Sequence, residues 1–156
     1  MATRSTISIR LKNGSINSVY CHWDGYLSNN GSILLNYYKS PIRVKRLVAG
    51  GDISSLGKFL NPRKSTFHYE IDYNKGKRVK TNKKHSHETK HKYVTCFYKR
   101  DRQESDCDMK IFHGVDEIQF EEFNYLYEEA SKKWYVETEQ GWNELTNELI
   151  QEESNY

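Results

Sequence analysis

No apolar run in this chain approaches the roughly 20 residues that a membrane-spanning helix requires. Hydrophobic residues make up only 36% of the sequence, and mean hydropathy is −0.92. A membrane role is thereby confined to the periphery, and nothing in the sequence supports one. The three cysteines, Cys21, Cys96 and Cys107, are odd in number and lack CxxC spacing. With no basic, apolar, small-residue export signal at the N-terminus, they predict an intracellular, reduced protein. P-loop, GxGxxG, GxSxG and HExxH patterns are all missing, so the corresponding phosphate-loop, dinucleotide, serine-hydrolase and zinc chemistries have no sequence basis and no cofactor is expected. No isolated carboxylate pair stands out for acid–base work.

What the chain does have is aromatic: 13% of its residues, 12 of them Tyr. Phenol rings replace part of the missing aliphatic mass and suit surfaces that bind, since each offers a wide contact area with a polar tip. The cluster at 125–142 permits an interface on this reading. Charge is unevenly placed. Residues 41–102 hold 17 Lys/Arg against 5 Asp/Glu, and residues 103–156 hold 3 against 15. The basic middle attracts anions. The acidic end folds back on it, faces a partner or repels long polyanions, so no long nucleic acid is expected.

A length of 156 residues fits one domain spanning 1–156. Thr6–Leu11 and Ser15–Cys21 predict a hairpin turned by Asn13-Gly14. Helices are expected over Leu27–Tyr38, with Leu34, Leu35 and Tyr38 inward, and from Pro41 to Ala49, with Ile42, Leu47 and Val48 inward. Asp52–Gly57 reads as a capped turn. Thr66–Tyr73 reads as a strand paired with Tyr93–Tyr98, leaving 74–92 as a flexible basic excursion. Met109–His113 reads as a short strand, Asp116–Phe123 as a helical turn or two, Tyr125–Glu129 and Lys133–Thr138 as a second hairpin, and Trp142–Gln151 as an amphipathic helix. The fold class is α+β, an antiparallel sheet of hairpins with helices packed on one face.

Val19-Tyr20-Cys21-His22-Trp23-Asp24-Gly25-Tyr26 concentrates stacking and hydrogen-bonding side chains where the first hairpin ends. Trp23 gives a π face, His22 donates or accepts near neutral pH, ionised Asp24 accepts, and Gly25 permits close approach of backbone to a ligand. The same segment also makes a good strand-ending turn, with Trp23 as a core plug and Asp24 bonding its own backbone. Cys21 and His22, as strand neighbours, point to opposite faces and are poorly placed as a nucleophile pair. His22 with Asp24 remains open as a general-base pair. Arg4-Ser5-Thr6 suits phosphate oxygens. Arg100-Asp101-Arg102 offers bidentate cations, with Asp101 either orienting an arginine or belonging to a surface ion-pair group. His85, His87 and His91 lie among lysines with no cysteine nearby, a setting for electrostatic steering rather than metal binding.

Met-Ala-Thr-Arg-Ser-Thr-Ile at 1–7, the 19–26 run, Gly31 with Leu34-Leu35 and Tyr37-Tyr38, Gly51-Asp52-Ile53-Ser54-Ser55-Leu56, and Tyr98 with Arg100-Asp101-Arg102 resemble a widespread family of small tailed-phage proteins. The match is close over 1–57 and patchy beyond, and the excursion at 74–92 departs from it. The family is similar to the anti-CBASS nucleotide sponges. That resemblance implies a non-enzymatic homo-oligomer, such as a tetramer, in the host cytoplasm that sequesters cyclic dinucleotides such as cyclic GMP-AMP without cleaving them. The residue chemistry is compatible: Arg4, Ser5, Thr6, Arg100 and Arg102 for phosphates, Tyr20, Trp23 and Tyr26 for stacking, Asp24 for guanine donors, and His22 on the ligand or orienting Asp24. The alternatives are a protein-binding inhibitor of a host defence enzyme that engages through the acidic end, a general RNA or DNA binder, and a nucleotide hydrolase.

Overall fold

Thr6–Arg10 alternates hydroxyl-bearing or charged residues with isoleucine, and a strand, here Ser5–Arg10, sends the two sets to opposite faces. In the computed structural model, which describes residues 2–62 and 93–154 and the backbone alone of 67–72 and 77–84, this segment is the central strand β1. Ile7 and Ile9 are fully buried on one face, each contributing ~1.5–3 kcal/mol. On the other face Thr6 donates to Asn124 and Ser8 to Ser18, both at 2.7 Å.

Nine further strands follow among the described residues: β2 (Ile16–Cys21), β3 (Ile53–Ser55), β4 (Phe67–Asp72), β5 (Lys77–Lys84), β6 (Cys96–Phe97), β7 (Lys110–Phe112), β8 (Phe123–Glu128), β9 (Lys133–Thr138) and β10 (Gly141–Glu144). The helices are α1 (Ser32–Tyr37, entered through a π-helical turn at Leu27–Gly31), α2 (Pro41–Ala49), α3 (Tyr98–Arg102) and α4 (Asn147–Ser154). The main sheet runs β10-β9-β8-β1-β2-β3-β6, with β7 also on β2. Pairing is antiparallel except at two joints, β1 with β8 and β2 with β3. The α+β class is as expected. β4 and β5 form a separate two-stranded sheet.

Register explains the core. Val136, Tyr125, Ile7 and Val19 form one cross-strand row, and Trp134, Tyr127 and Ile9 the next. Leu34 and Tyr38 from α1 and its cap, Val44, Leu47 and Val48 from α2, and Leu145 and Ile150 near α4 close over that face. A smaller cluster of Ile16, Ile118 and Leu126 lies on the opposite face.

The first hairpin turns through residues 12–14, as its expected bounds leave, with Gly14 N–H donating to Leu11 O at 2.9 Å and Leu11 N–H to Ser15 O at 2.8 Å. Several expectations are corrected. Only Gly14 of the Asn-Gly pair takes positive φ, +93°, while the Asn13 carboxamide accepts from Ser15 N–H at 2.9 Å. In α2 the inward triplet is Val44, Leu47 and Val48, and Ile42, two residues before Val44 and therefore on the far side of the helix, is exposed. Part of Asp52–Gly57 is strand β3, recruited by β2. The partner of β4 is β5, in the part of the basic excursion that is described, while Cys96–Phe97 pairs with β3. The three histidines of the excursion lie outside the described residues. Asp116–Phe123 contributes only the end of a 3-10 turn, Val115–Glu117, before β8 begins. Trp142 sits in β10. The last helix starts only at Asn147, where the Thr146 hydroxyl accepts from Leu149 N–H at 3.1 Å, an N-cap contact.

The aromatics at 125–142 are also mainly interior rather than an exposed interface: Tyr125, Tyr127 and Trp134 are buried. Buried hydroxyls need partners, and these find loop carbonyls. Tyr125 donates to Gly25 at 2.6 Å, Tyr127 to Lys39 at 2.7 Å and Tyr38 to Gly57 at 2.7 Å. Tyr38→Phe removes one such tie while the Thr95 hydroxyl, 3.1 Å from Gly57 O, still donates to that carbonyl, so it is expected to cost ~0.5–1.5 kcal/mol. Tyr37→Phe, at an exposed ring, should stay within ~0.5 kcal/mol. Urea denaturation of the two variants checks the contrast.

Candidate functional site

The outer edge of β2 is shared by two strands. β7 pairs with Ile16–Ser18 and β3 pairs at Cys21, so Tyr20 faces a fork where neither strand supplies an acceptor. The Asp52 carboxylate fills the gap, accepting from Tyr20 N–H at 2.9 Å. A cleft of about 290 Å³ opens at this fork, lined by Thr6, Tyr20, Asp52, Lys110, Gln119 and Glu121 among others. Burial raises the Asp52 carboxyl above its ordinary value, against the opposing pull of the Tyr20 N–H and Lys110. Burial also raises the Tyr20 phenol, with Arg4 lowering it and Glu121 and Tyr98 raising it. Those three side chains therefore lie within electrostatic reach of the cleft's tyrosine.

From Tyr20 a short ladder of rings leads outward. Its hydroxyl is 2.6 Å from His22 Nδ1, and the His22 ring meets Trp23 edge-on, with centroids 4.7 Å apart and planes at 87°. With the phenol as donor, His22 carries its own proton on Nε2. Trp23 is 42% exposed although its backbone N–H is tied to Ser54 at 3.0 Å. The indole is consequently an aromatic face open to solvent on an anchored backbone, not a core plug. Asp24 and Tyr26 are exposed beside it.

Gly25 performs a different task from the expected one. Its N–H donates to Thr3 at 2.8 Å, and an added Cβ would lie 2.8 Å from Ser5 Cβ and 2.9 Å from Thr3 O. The close approach it permits is to β1. Asn30 is fully buried and donates to Ser5 Oγ at 3.2 Å and Trp23 O at 3.4 Å. It fixes the Trp23 backbone from beneath.

The expected site residues separate accordingly. Arg4, Tyr20, His22, Trp23, Asp24 and Tyr26 lie at or near the outlet of β2, while Arg102 stacks on Tyr98, 5.5 Å from its ring centroid. Ser5 is fully buried and Thr6 nearly so, their hydroxyls engaged by Asn30 and Asn124, although Thr6 still borders the cleft. Arg100 is spent on the fold: it donates to Leu60 O at 2.6 Å, Asn61 Oδ1 at 3.1 Å, Thr95 O at 3.0 Å and Asp101 at 3.0 Å, over the Phe97 ring at 4.8 Å. Asp101 does orient an arginine, but toward the Leu60 and Thr95 carbonyls and the Asn61 carboxamide. Asp52, Lys110 and Glu121 had no signal beyond residue type, because remote segments bring them to the cleft.

No hydrogen bond joins His22 to Asp24 among the described residues. Cys21 is fully buried, and burial pushes its thiol up to about 11, against bonds from Asn30 and Ser5 that lower it. Among the described residues no group of three or more His, Cys, Asp or Glu is placed to hold a metal ion, and no helix is long and apolar enough to cross a membrane. In comparisons with known proteins, no family model, curated protein or solved structure matches this chain.

The raised thiol sets a pH dependence. An unfolded Cys21 ionises near 9.0 and the folded one only near 11, so between these values the folded state holds more protons. Its contribution to stability is complete below pH 9 and is lost as pH rises toward 11. Cys21→Ala should flatten the decline of the urea midpoint between pH 9 and 10 without abolishing it, since the buried tyrosines also titrate upward of their usual value.

Proposed function

We propose that this protein binds a cyclic dinucleotide and withholds it intact, as a phage protein would in the cytoplasm of a host that signals infection with such nucleotides. The observation that carries the reading is the Tyr20–His22–Trp23 ladder leading outward from a cleft that contains acceptors and a cation. At about 290 Å³ the cleft is at the small end of ligand sites, suited to one base rather than a whole dinucleotide. Asp52 and Glu121 supply the acceptors that guanine's Watson–Crick donors require. Phosphates, repelled by these carboxylates, stay at the rim with Arg4 and Lys110, while Trp23 stacks.

A homo-oligomer belongs to the same proposal. With one base in the cleft the second is left uncovered, and a second copy of the chain is suited to a ligand that is itself nearly two-fold.

The test is a thermal-shift screen against cyclic dinucleotides and their linear forms, with bound ligand recovered and analysed by chromatography. A selective upward shift is expected, corresponding to about 2.7 kcal/mol at 100 times the dissociation constant, with ligand returned intact. Trp23→Ala should abolish the shift at unchanged intrinsic stability. Degraded ligand would establish an enzyme instead, and no shift with any nucleotide would sink the reading in favour of a host-protein inhibitor.

A further inference from the structure

Away from the cleft, a groove of about 810 Å³ runs between α1 and the segments at 55–58 and 93–94. Its defining feature is one ammonium between two rings: Lys58 Nζ lies 5.2 Å from the Tyr37 centroid and 5.0 Å from that of Tyr93. Both rings are open to solvent, 43% and 52% exposed. Lys58 is the only charged group among the described lining residues, which otherwise bring hydroxyls and the carboxamides of Asn29 and Asn36. The described lining therefore favours an anion.

The walls are built rather than incidental. A single guanidinium spans them, Arg43 donating through Nε to Tyr37 O at 2.7 Å and through Nη2 to Lys58 O at 2.6 Å. Tyr93 sits at φ +62°, a conformation a bulky residue adopts only when its surroundings enforce it. Phe59 N–H holds the Tyr93 carbonyl at 3.0 Å, and Gly57 packs so closely that an added Cβ would fall 2.3 Å from that oxygen. The chain thus accepts local strain in presenting the second ring.

We propose that this groove is a separate nucleotide site, in which a base stacks on Tyr37 or Tyr93 and its phosphate is held by Lys58. Stacking on an aromatic face is tolerant of base identity, while a phosphate on a Tyr-flanked ammonium gains a charge-assisted bond. The site does not depend on the cleft, since Trp23 and Tyr20 do not line it.

Isothermal titration with GMP and AMP, using guanosine and inorganic phosphate as controls, tests the proposal. One or both mononucleotides should bind more tightly than guanosine, and inorganic phosphate more weakly still. Lys58→Met and Tyr37→Ala should each weaken AMP binding about tenfold or more, Lys58→Arg should retain it, and Trp23→Ala, which alters only the guanine-selective cleft, should leave AMP binding unchanged. Melting temperatures of the variants confirm that each is folded. Absence of mononucleotide binding by the wild-type protein at millimolar concentration would overturn the proposal, as would equal binding by wild type, Lys58→Met and Tyr37→Ala. Loss in Trp23→Ala with retention in the groove variants would also overturn it, placing the ligand in the cleft and leaving the dinucleotide reading intact.

Discussion

A phenol ring taken fully into a protein interior brings a hydroxyl that must be bonded there, and this structure depends on how that requirement is met. With few aliphatic residues available, Tyr38, Tyr125 and Tyr127 fill the centre of the core. Their hydroxyls reach outward to the carbonyls of Gly57, Gly25 and Lys39, and Trp134 Nε1 reaches Tyr38 O at 2.8 Å. All four acceptors belong to connections or helix caps, where carbonyls are left over from regular pairing. Filling the core therefore also positions the loops. The bond from Tyr125 secures the loop carrying Trp23, and the knot of Tyr38, Gly57 and Thr95 underlies the wall carrying Lys58 and Tyr93.

The charge asymmetry of the sequence is partly internalised by the same frame. Lys45 of α2 pairs with Glu129 at the end of β8, whose carboxyl also accepts from Lys12 N–H at 3.2 Å. The Lys45 hydrogen bond leads the lowering of its pKa. Lys99 meets Asp108 at 2.8 Å, but at an exposed site where such pairs contribute little. One basic helix is thus tied to the acidic half, while Glu148 and Glu152 on α4 remain exposed.

Local pattern was legible in the sequence where one segment decides its own structure. The alternation of Thr6–Arg10, the hairpin of β8 and β9, and Pro41 opening α2 were all readable. Decisions made between segments were not. Asp52–Gly57 has the composition of a turn, yet β2 offers it a free edge and part of it becomes strand. Trp142 fits a helical stripe as well as a strand, and the N-cap at Thr146 together with pairing to β9 decides against the helix. Tyrosine suits surface and core equally by composition, and the core claimed those at 125 and 127. At the site, the 22–23 rings were readable because they are contiguous. Arg100 carried the chemistry of a ligand contact but found carbonyls first, while Asp52, Asn30 and Lys58 gained their positions only through residues far along the chain.

The parallel joint between β1 and β8 pairs Ser5 with Phe123 and Arg10 with Glu128, segments separated by most of the chain. On the ribosome β1 and β2 can form their hairpin as soon as they emerge, but one edge of the central strand stays unpaired until β8 has been translated. At about 5–20 residues per second, that interval is on the order of ten seconds. During it Ile7 and Ile9 lack the aromatic rows that later flank them, so the nascent chain exposes a template for strand addition at its most apolar point. The hydroxyls of Thr6 and Ser8 on the reverse face make that exposed ribbon more soluble, which gives the polar side of the central strand a role in biogenesis as well as in the finished sheet.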